Sequence, residues 1–264
     1  MKAAVFLGGG RITGALLAGL RLAKYSKPIV VYDRHSRKLR QLRKQYGVMV
    51  ERNLRHALEQ AQLLILAVRP DSVNGLLHEI GSLGRPLNAV SLAAGVPLAK
   101  LRARLGPPVR WARAMPSPVC RSGRGLTALT FERGFSRAAR QQVKDLFAKI
   151  GPILEISENH FDTFTVTYSC SHGYHALAML AGAAEKRGLK HNHALIAAAH
   201  ALADGVVAWR EGNVPLNRLL HEAATPAGIA ASVMEAMDRA GYKQVVEQGL
   251  TAGLKRARKN AKRT

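Results

Sequence analysis

The chain has 264 residues, 47% hydrophobic and 5% aromatic, with 40 Lys+Arg against 17 Asp+Glu and a formal charge of +23. That length and apolar content build one large domain or two modest ones. Two cysteines, Cys120 and Cys170, exclude a disulfide framework, and no stretch supplies the roughly 20 uncharged apolar residues of a membrane span.

The apolar run nearest to a span, 194–209, contains His200 and Asp204. The signal-like start at Met1-Lys2 is interrupted by Arg11 and has no small-residue cleavage site behind it. A cytoplasmic protein without membrane partners is expected. The charge attracts polyanions of any kind, with basic runs at 34–44 and 255–263. No aromatic-rich basic strand accompanies them, so the charge reads as solvated surface and nucleic acid is not expected as a partner.

In chain order, apolar runs at 2–7, 29–32, 63–68 and 89–92 read as buried strands. Between them, 39–46, 54–60 and 72–80 carry helical spacing. This alternation predicts a parallel sheet with helices on both faces. Runs at 109–114, 126–130 and 153–156 extend it, with a helix at 136–150 before the last. Past residue 160 the strand signal stops, and Ala- and Leu-rich helical patterns fill 175–186, 193–210, 226–240 and 242–258. The predicted class is α/β, a Rossmann-like doubly wound sheet followed by an all-α domain. The boundary falls between 1–157 and 158–264, the second part ending in a basic tail. Residues 194–207 are apolar over so wide a face that burial between helices or subunits is expected.

The glycine cluster Gly8-Gly9-Gly10 stands between the first strand and the first helix. In a G-x-G-x-x-G reading Gly8 permits the tight turn and Gly10 lets the backbone approach a pyrophosphate. Arg11 and Ile12 open a helix whose free N–H groups face the phosphates. The third glycine is replaced by Thr13, small enough to be tolerated. Asp33 closes the second strand where an acidic residue for the ribose hydroxyls belongs. Arg34, Ser36 and Arg37 follow at once, and such groups suit a 2′-phosphate. The cofactor is NADP or NAD, with NADP slightly favoured.

Four further stretches, Ala67-Val68-Arg69-Pro70, "SLAAGV" at 91–96, "RAMPSP" at 113–118 and "ATPAG" at 224–228, make the chain resemble the pyrroline-5-carboxylate reductase family. These are NAD(P)H-dependent imine reductases of proline biosynthesis, and the resemblance runs nearly end to end. It implies a dinucleotide-binding domain, a helical domain that dimerises by intertwining, and a substrate site formed across a homodimer or a higher oligomer of dimers. It also implies that Val68, Arg69, Ala93 and Ala94 line the nicotinamide and ribose end, with Met115 and Pro116 beside the ring.

The departures from the family fall in the substrate pocket. Asn-Thr-Pro after Met-Pro becomes Ser117-Pro118-Val119. Ser-Gly-Ser-Gly-Pro-Ala-Tyr becomes Tyr168-Ser169-Cys170-Ser171-His172-Gly173-Tyr174. Ser-Pro-Gly-Gly-Thr-Thr becomes Thr225-Pro226-Ala227-Gly228-Ile229-Ala230. Ser117, Cys170, Thr225, Gly228, Ile229 and Ala230 are thus the candidate substrate contacts. Two threonine hydroxyls are missing, each hydrogen bond to a charged group worth about 1.5–3 kcal/mol.

Of the groups that arrive instead, His172, Tyr168 and Tyr174 are the candidate proton donors to an imine or imino-acid nitrogen. The spacings of His172/His175 and of His191/His193/His200 admit a metal site, but no acidic third ligand is evident and none is expected. A non-catalytic dinucleotide sensor, or a polyanion-associated protein using the basic tail, is the alternative to an enzyme.

Overall fold

The computed structural model describes residues 2–263; Met1 of the signal-like start and Thr264 lie outside the described residues. The first part of the chain alternates strand and helix. It runs β1 (Ala3–Leu7), α1 (Arg11–Leu22), β2 (Ile29–Tyr32), α2 (Ser36–Tyr46), β3 (Met49–Glu51), α3 (Leu54–Gln60) and β4 (Ala61–Leu66). It continues through α4 (Pro70–Ile80), β5 (Leu87–Ser91), α5 (Leu98–Arg104), β6 (Val109–Pro116), β7 (Thr127–Phe131), α6 (Arg137–Ala148), β8 (Ile153–Glu155) and α7 (Glu158–Thr167). The eight strands form one sheet in the order β3-β2-β1-β4-β5-β6-β7-β8. Strand order reverses beside β1, the switch point at which doubly wound sheets bind ligands.

Alternation along β1 shows why both faces are covered. Ala3, Val5 and Leu7 join a core with Leu54 and Ala57 of α3, Val73 and Leu77 of α4 and Leu101 of α5. Ala4 and Phe6 join the opposite core with Leu16 and Leu20 of α1, Leu39 of α2 and Val143 and Phe147 of α6. Period-two burial on both sides requires the unbroken apolar runs that mark these strands in the sequence.

In this part of the chain three features differ from the sequence expectation. The β6–β7 pair is antiparallel, because the connection holds only a 3-10 turn, Pro118–Ser122, and a parallel crossover needs a dozen or more residues. Strand β3 is three half-exposed residues at the sheet edge and leaves no apolar run to detect. Helices α5 and α7 escape because α5 has seven residues and α7 is rich in Thr, Phe and Val, which favour strands.

The remaining helices are α8 (Ser171–Glu185), α9 (His191–Glu211), α10 (Leu216–Ala223), α11 (Ile229–Arg239) and α12 (Tyr242–Arg263). The basic tail is therefore not a tail but the last turns of a 22-residue helix. The chain divides into two compact units: one runs through Tyr168 and resumes at Ala252, the other is Ser169–Thr251. The first extends beyond the boundary at 157 and takes back the end of α12.

Within the second unit, the buried apolar cluster among the described residues is Ala181, Ala194 and Ala198. Ile196, Leu202, Val206, Val207 and Trp209 of α9 are exposed, so the wide apolar face is left uncovered by the chain's own helices. Among the described residues no helix is long and apolar enough to cross a membrane.

Candidate active site

β1 delivers the chain to Gly8, whose N–H donates to the Tyr32 carbonyl at 2.8 Å and whose φ is +113°. A Cβ there would lie 2.6 Å from the Ala67 carbonyl oxygen, so only glycine fits between β1 and the end of β4. Gly10 is different: it caps α1 at φ −82°, and a Cβ on it would meet nothing within 4 Å. The open space there is what a close-approaching pyrophosphate requires. The cap uses no side chain, and no acidic residue sits in the first turn of α1. Its leading N–H groups and positive dipole end are left for an anion.

The replacement at the third glycine position has a function of its own. Thr13 is fully buried and its hydroxyl donates to the Gly8 carbonyl at 2.5 Å, tying the helix back to the turn. Close helix packing is supplied further along α1 by Gly19, against the Cys120 carbonyl. Cys120 itself is buried, and burial pushes its thiol up to about 11.

Asp33 directly follows β2 and is nearly buried. Its Oδ2 accepts the Gly9 N–H at 2.8 Å and faces the Lys38 ammonium at 3.6 Å. Its Oδ1 accepts the His35 N–H at 2.8 Å and meets His35 Nδ1 at 2.9 Å. Burial by itself would raise this carboxyl; the His35 and Gly9 N–H bonds, the His35 ring and Lys38 outweigh it and hold it below its ordinary value. Both oxygens thus serve the protein's own loop, a use the sequence did not reveal.

A cavity of about 540 Å³ opens over this turn. Its walls include Gly8, Gly10, Arg11, Arg34, His35, Lys38, Val68 and Arg69, with Asp33 the lone carboxylate among the residues that line it. Arg34 also bonds Glu79, and Arg69 caps α4, with Asp71 3.6 Å away. The structure therefore brings together Gly8, Gly10, Arg11, Asp33, Arg34, Val68 and Arg69; Ile12, half-buried, follows in the first turn of α1.

The loop after β5 holds Ala93 and Ala94. The Ala93 N–H donates to Ser91 Oγ at 3.3 Å, and the Ala94 carbonyl accepts from Asn260 Nδ2 of α12 at 3.1 Å. At the end of β6, Met115 is half-buried and Pro116 buried. Ser117 is nearly buried, its hydroxyl accepting the Val119 N–H at 3.3 Å to cap the 3-10 turn.

Beneath these loops lies a cluster that sequence reasoning missed. Arg113 is 1% exposed, 3.0 Å from Glu158 and 2.6 Å from Asp162, with its guanidinium 4.3 Å over the Phe161 ring. Glu158 Oε1 also accepts the Leu98 N–H at 2.9 Å. The "RAMP" strand, the start of α5 and α7 are pinned together by one buried cation. Arg113 stands between alanines in a strand whose neighbours are buried, and that placement was the available signal.

The substrate-side candidates are placed as follows. Tyr168 is the residue that caps the end of α7, its ring 5.2 Å from that of Phe164. In the second unit Cys170 is the residue before α8, and His172 and Tyr174 sit exposed in its first turn. Thr225 precedes α11; Gly228 is its cap, without a side-chain hydrogen bond. Ala227, where the family has glycine, keeps a left-handed φ of +60°, and Ile229 is 87% exposed. Among the described residues no three His, Cys, Asp or Glu gather to hold a metal. His191 pairs instead with Glu185 at 2.9 Å and His200 with Asp204 at 3.0 Å.

A doubly wound sheet with an open glycine turn at its switch point and a basic, phosphate-ready wall defines an NAD(P)-dependent oxidoreductase. Residues 3–95 match the family described as NADP oxidoreductase, coenzyme F420-dependent, and residues 158–260 match pyrroline-5-carboxylate reductase dimerisation. The pyrroline-5-carboxylate reductase of Thermus thermophilus is 30% identical over 94% of this chain and 96% of its own. That of Mycobacterium leprae is 27% identical over 96% and 94%. The crystal structure of Plasmodium falciparum pyrroline carboxylate reductase with NADP bound has the same fold, with a TM-score of 0.87 at 20% identity over 99% of this chain and 98% of that one. The chain belongs to the pyrroline-5-carboxylate reductase family.

Proposed function

We propose that this reductase uses NADPH to reduce the C=N bond of an imine bulkier or less polar than pyrroline-5-carboxylate, working as a homodimer. When bound, the reduced nicotinamide supplies the hydride. The chain's own part is to hold the phosphates on Gly10 and the start of α1, and to present the adenosine side to Arg34, His35 and Lys38. The engagement of both Asp33 oxygens within the loop supports a 2′-phosphate over a free ribose hydroxyl pair, as does the NADP bound to the Plasmodium relative. The proton for the imine nitrogen comes, in this reading, from one of His172, Tyr168 and Tyr174.

One observation carries the substrate assignment. Ala227 keeps the left-handed turn at +60° and Gly228 caps α11 without a side-chain partner, so the backbone N–H groups at that helix start stay available to an anionic group. The hydroxyls that accompany them in the family are gone, replaced by Ile229 and Ala230. Two lost contacts of about 1.5–3 kcal/mol each leave the catalytic efficiency toward pyrroline-5-carboxylate at least about a hundredfold below the range usual for enzymes.

The test is a steady-state assay of pyrroline-5-carboxylate against larger cyclic imines, with NADPH and NADH. Weak turnover of the former, raised in the Ile229→Thr/Ala230→Thr double variant, supports the reading; efficient turnover by the unmodified protein overturns it. Arg34→Ala is expected to weaken NADPH about tenfold, the loss of one charged hydrogen bond, and to leave NADH within about twofold. Light scattering tests the dimer, a reading that the exposed apolar face of α9 supports.

A further inference from the structure

We propose that the last turns of α12 are part of the cofactor site, with Asn260 a positioning residue for the nicotinamide half. The inference rests on the reading of the chain as a dinucleotide-binding reductase. In a doubly wound sheet the cofactor crosses the carboxyl ends of the strands from the switch point. Here the adenosine side lies at β1 and β2, where Asp33 and Arg34 stand. The neighbours on the other side are β4 and then β5, so the far half of the dinucleotide reaches the loop that follows β5.

That loop is held from behind by the C-terminal helix. Gly95 has φ +74°, and a Cβ on it would lie 2.7 Å from the Ala257 carbonyl oxygen and 2.8 Å from Ala257 Cα. The α12 backbone is therefore in direct contact with the turn, and Ala257 is buried there. One turn further along α12, Asn260 donates from Nδ2 to the Ala94 carbonyl at 3.1 Å. This fixes the orientation of the Ala94–Gly95 peptide, between the Ser91 hydroxyl at one end of the loop and the Glu158 carboxylate on Leu98 at the other. The adenosine-side loop after β2 is held by different groups, the Gly9 N–H and Lys38 on Asp33. The influence of Asn260 therefore falls on one half of the cofactor.

The experiment compares NADPH with its adenosine fragment, 2′,5′-ADP, by calorimetric titration of the full-length protein. In the wild type NADPH binds more tightly than the fragment. In Asn260→Ala, and in Asn260→Asp, which keeps the shape and removes the donor, NADPH affinity falls about fivefold while 2′,5′-ADP stays within about twofold. Lys259→Ala, at an exposed neighbour, changes neither. Unchanged NADPH affinity in both Asn260 variants overturns the proposal, as does an equal loss for NADPH and fragment, which marks a merely structural role. A wild type that binds neither ligand overturns the cofactor reading itself, a distinct outcome.

Discussion

Thr13 and Gly8 are joined by a hydrogen bond of 2.5 Å from the threonine hydroxyl to the glycine carbonyl, across the turn that the pyrophosphate would approach. Thr13 has no exposed surface, while Gly8 borders the open turn. The bond replaces the close packing that a glycine gives elsewhere with a polar tie that fixes where α1 begins.

Removing that tie without changing shape isolates its contribution. Thr13→Val is expected to lower unfolding free energy by about 1–2 kcal/mol, the range for a buried carbonyl losing its donor. Urea titration checks it, and a midpoint unchanged from wild type would mean that the turn is held by its backbone alone.

Gly8 and Gly10 are expected to separate stability from binding. Gly8→Ala places a Cβ at 2.6 Å from the Ala67 oxygen in a backbone conformation closed to L-residues, and should destabilise by about 1–3 kcal/mol or more. Gly10→Ala meets nothing in the protein, so its thermal midpoint should match wild type while NADPH binding weakens at least about tenfold. Full binding by Gly10→Ala would remove the turn as the phosphate site.

Arg113→Met leaves Glu158 and Asp162 facing a buried apolar chain. Breaking a buried pair costs about 3–5 kcal/mol, and since both carboxylates are about 30% exposed the expected loss is nearer ~2–3 kcal/mol after solvent screening. Denaturant unfolding of Arg113→Met measures this. Adding Glu158→Gln should recover part of it, because one uncompensated charge is then gone.

The strands, their order of burial and the glycine turn were legible because each rests on local pattern: apolar runs, helical spacing, and glycine beside a strand end. The helix end that returns to Ala94 was not, since residues 255–263 show a run of charge that hides the inward-facing Ala257 and Asn260. Arg113 was read inside a motif and not as a buried cation, because its partners lie 45 and 49 positions away. The engagement of Asp33 needed the fold of Gly9 and His35 around it.

Asp33 gives the pH dependence its sign. Its folded pKa lies below the ordinary value, so the stabilisation it brings is present above about pH 3.9 and is lost as pH falls through the lower folded value. The difference in urea midpoint between wild type and Asp33→Asn should be flat from about pH 5 to about pH 8 and shrink only below about pH 4. A difference that fades nearer neutrality would show that another group sets the turn.

The two cysteines are unequal as chemical handles. Cys120 is sealed under α1 with its thiol held at about 11, so little nucleophilic thiolate exists there at neutral pH. Cys170, half-exposed at the head of α8, is the thiol that a maleimide reaches first. A fluorophore or spin label can therefore be installed beside His172 on the unmodified chain, giving a reporter of the start of α8 that needs no cysteine engineering.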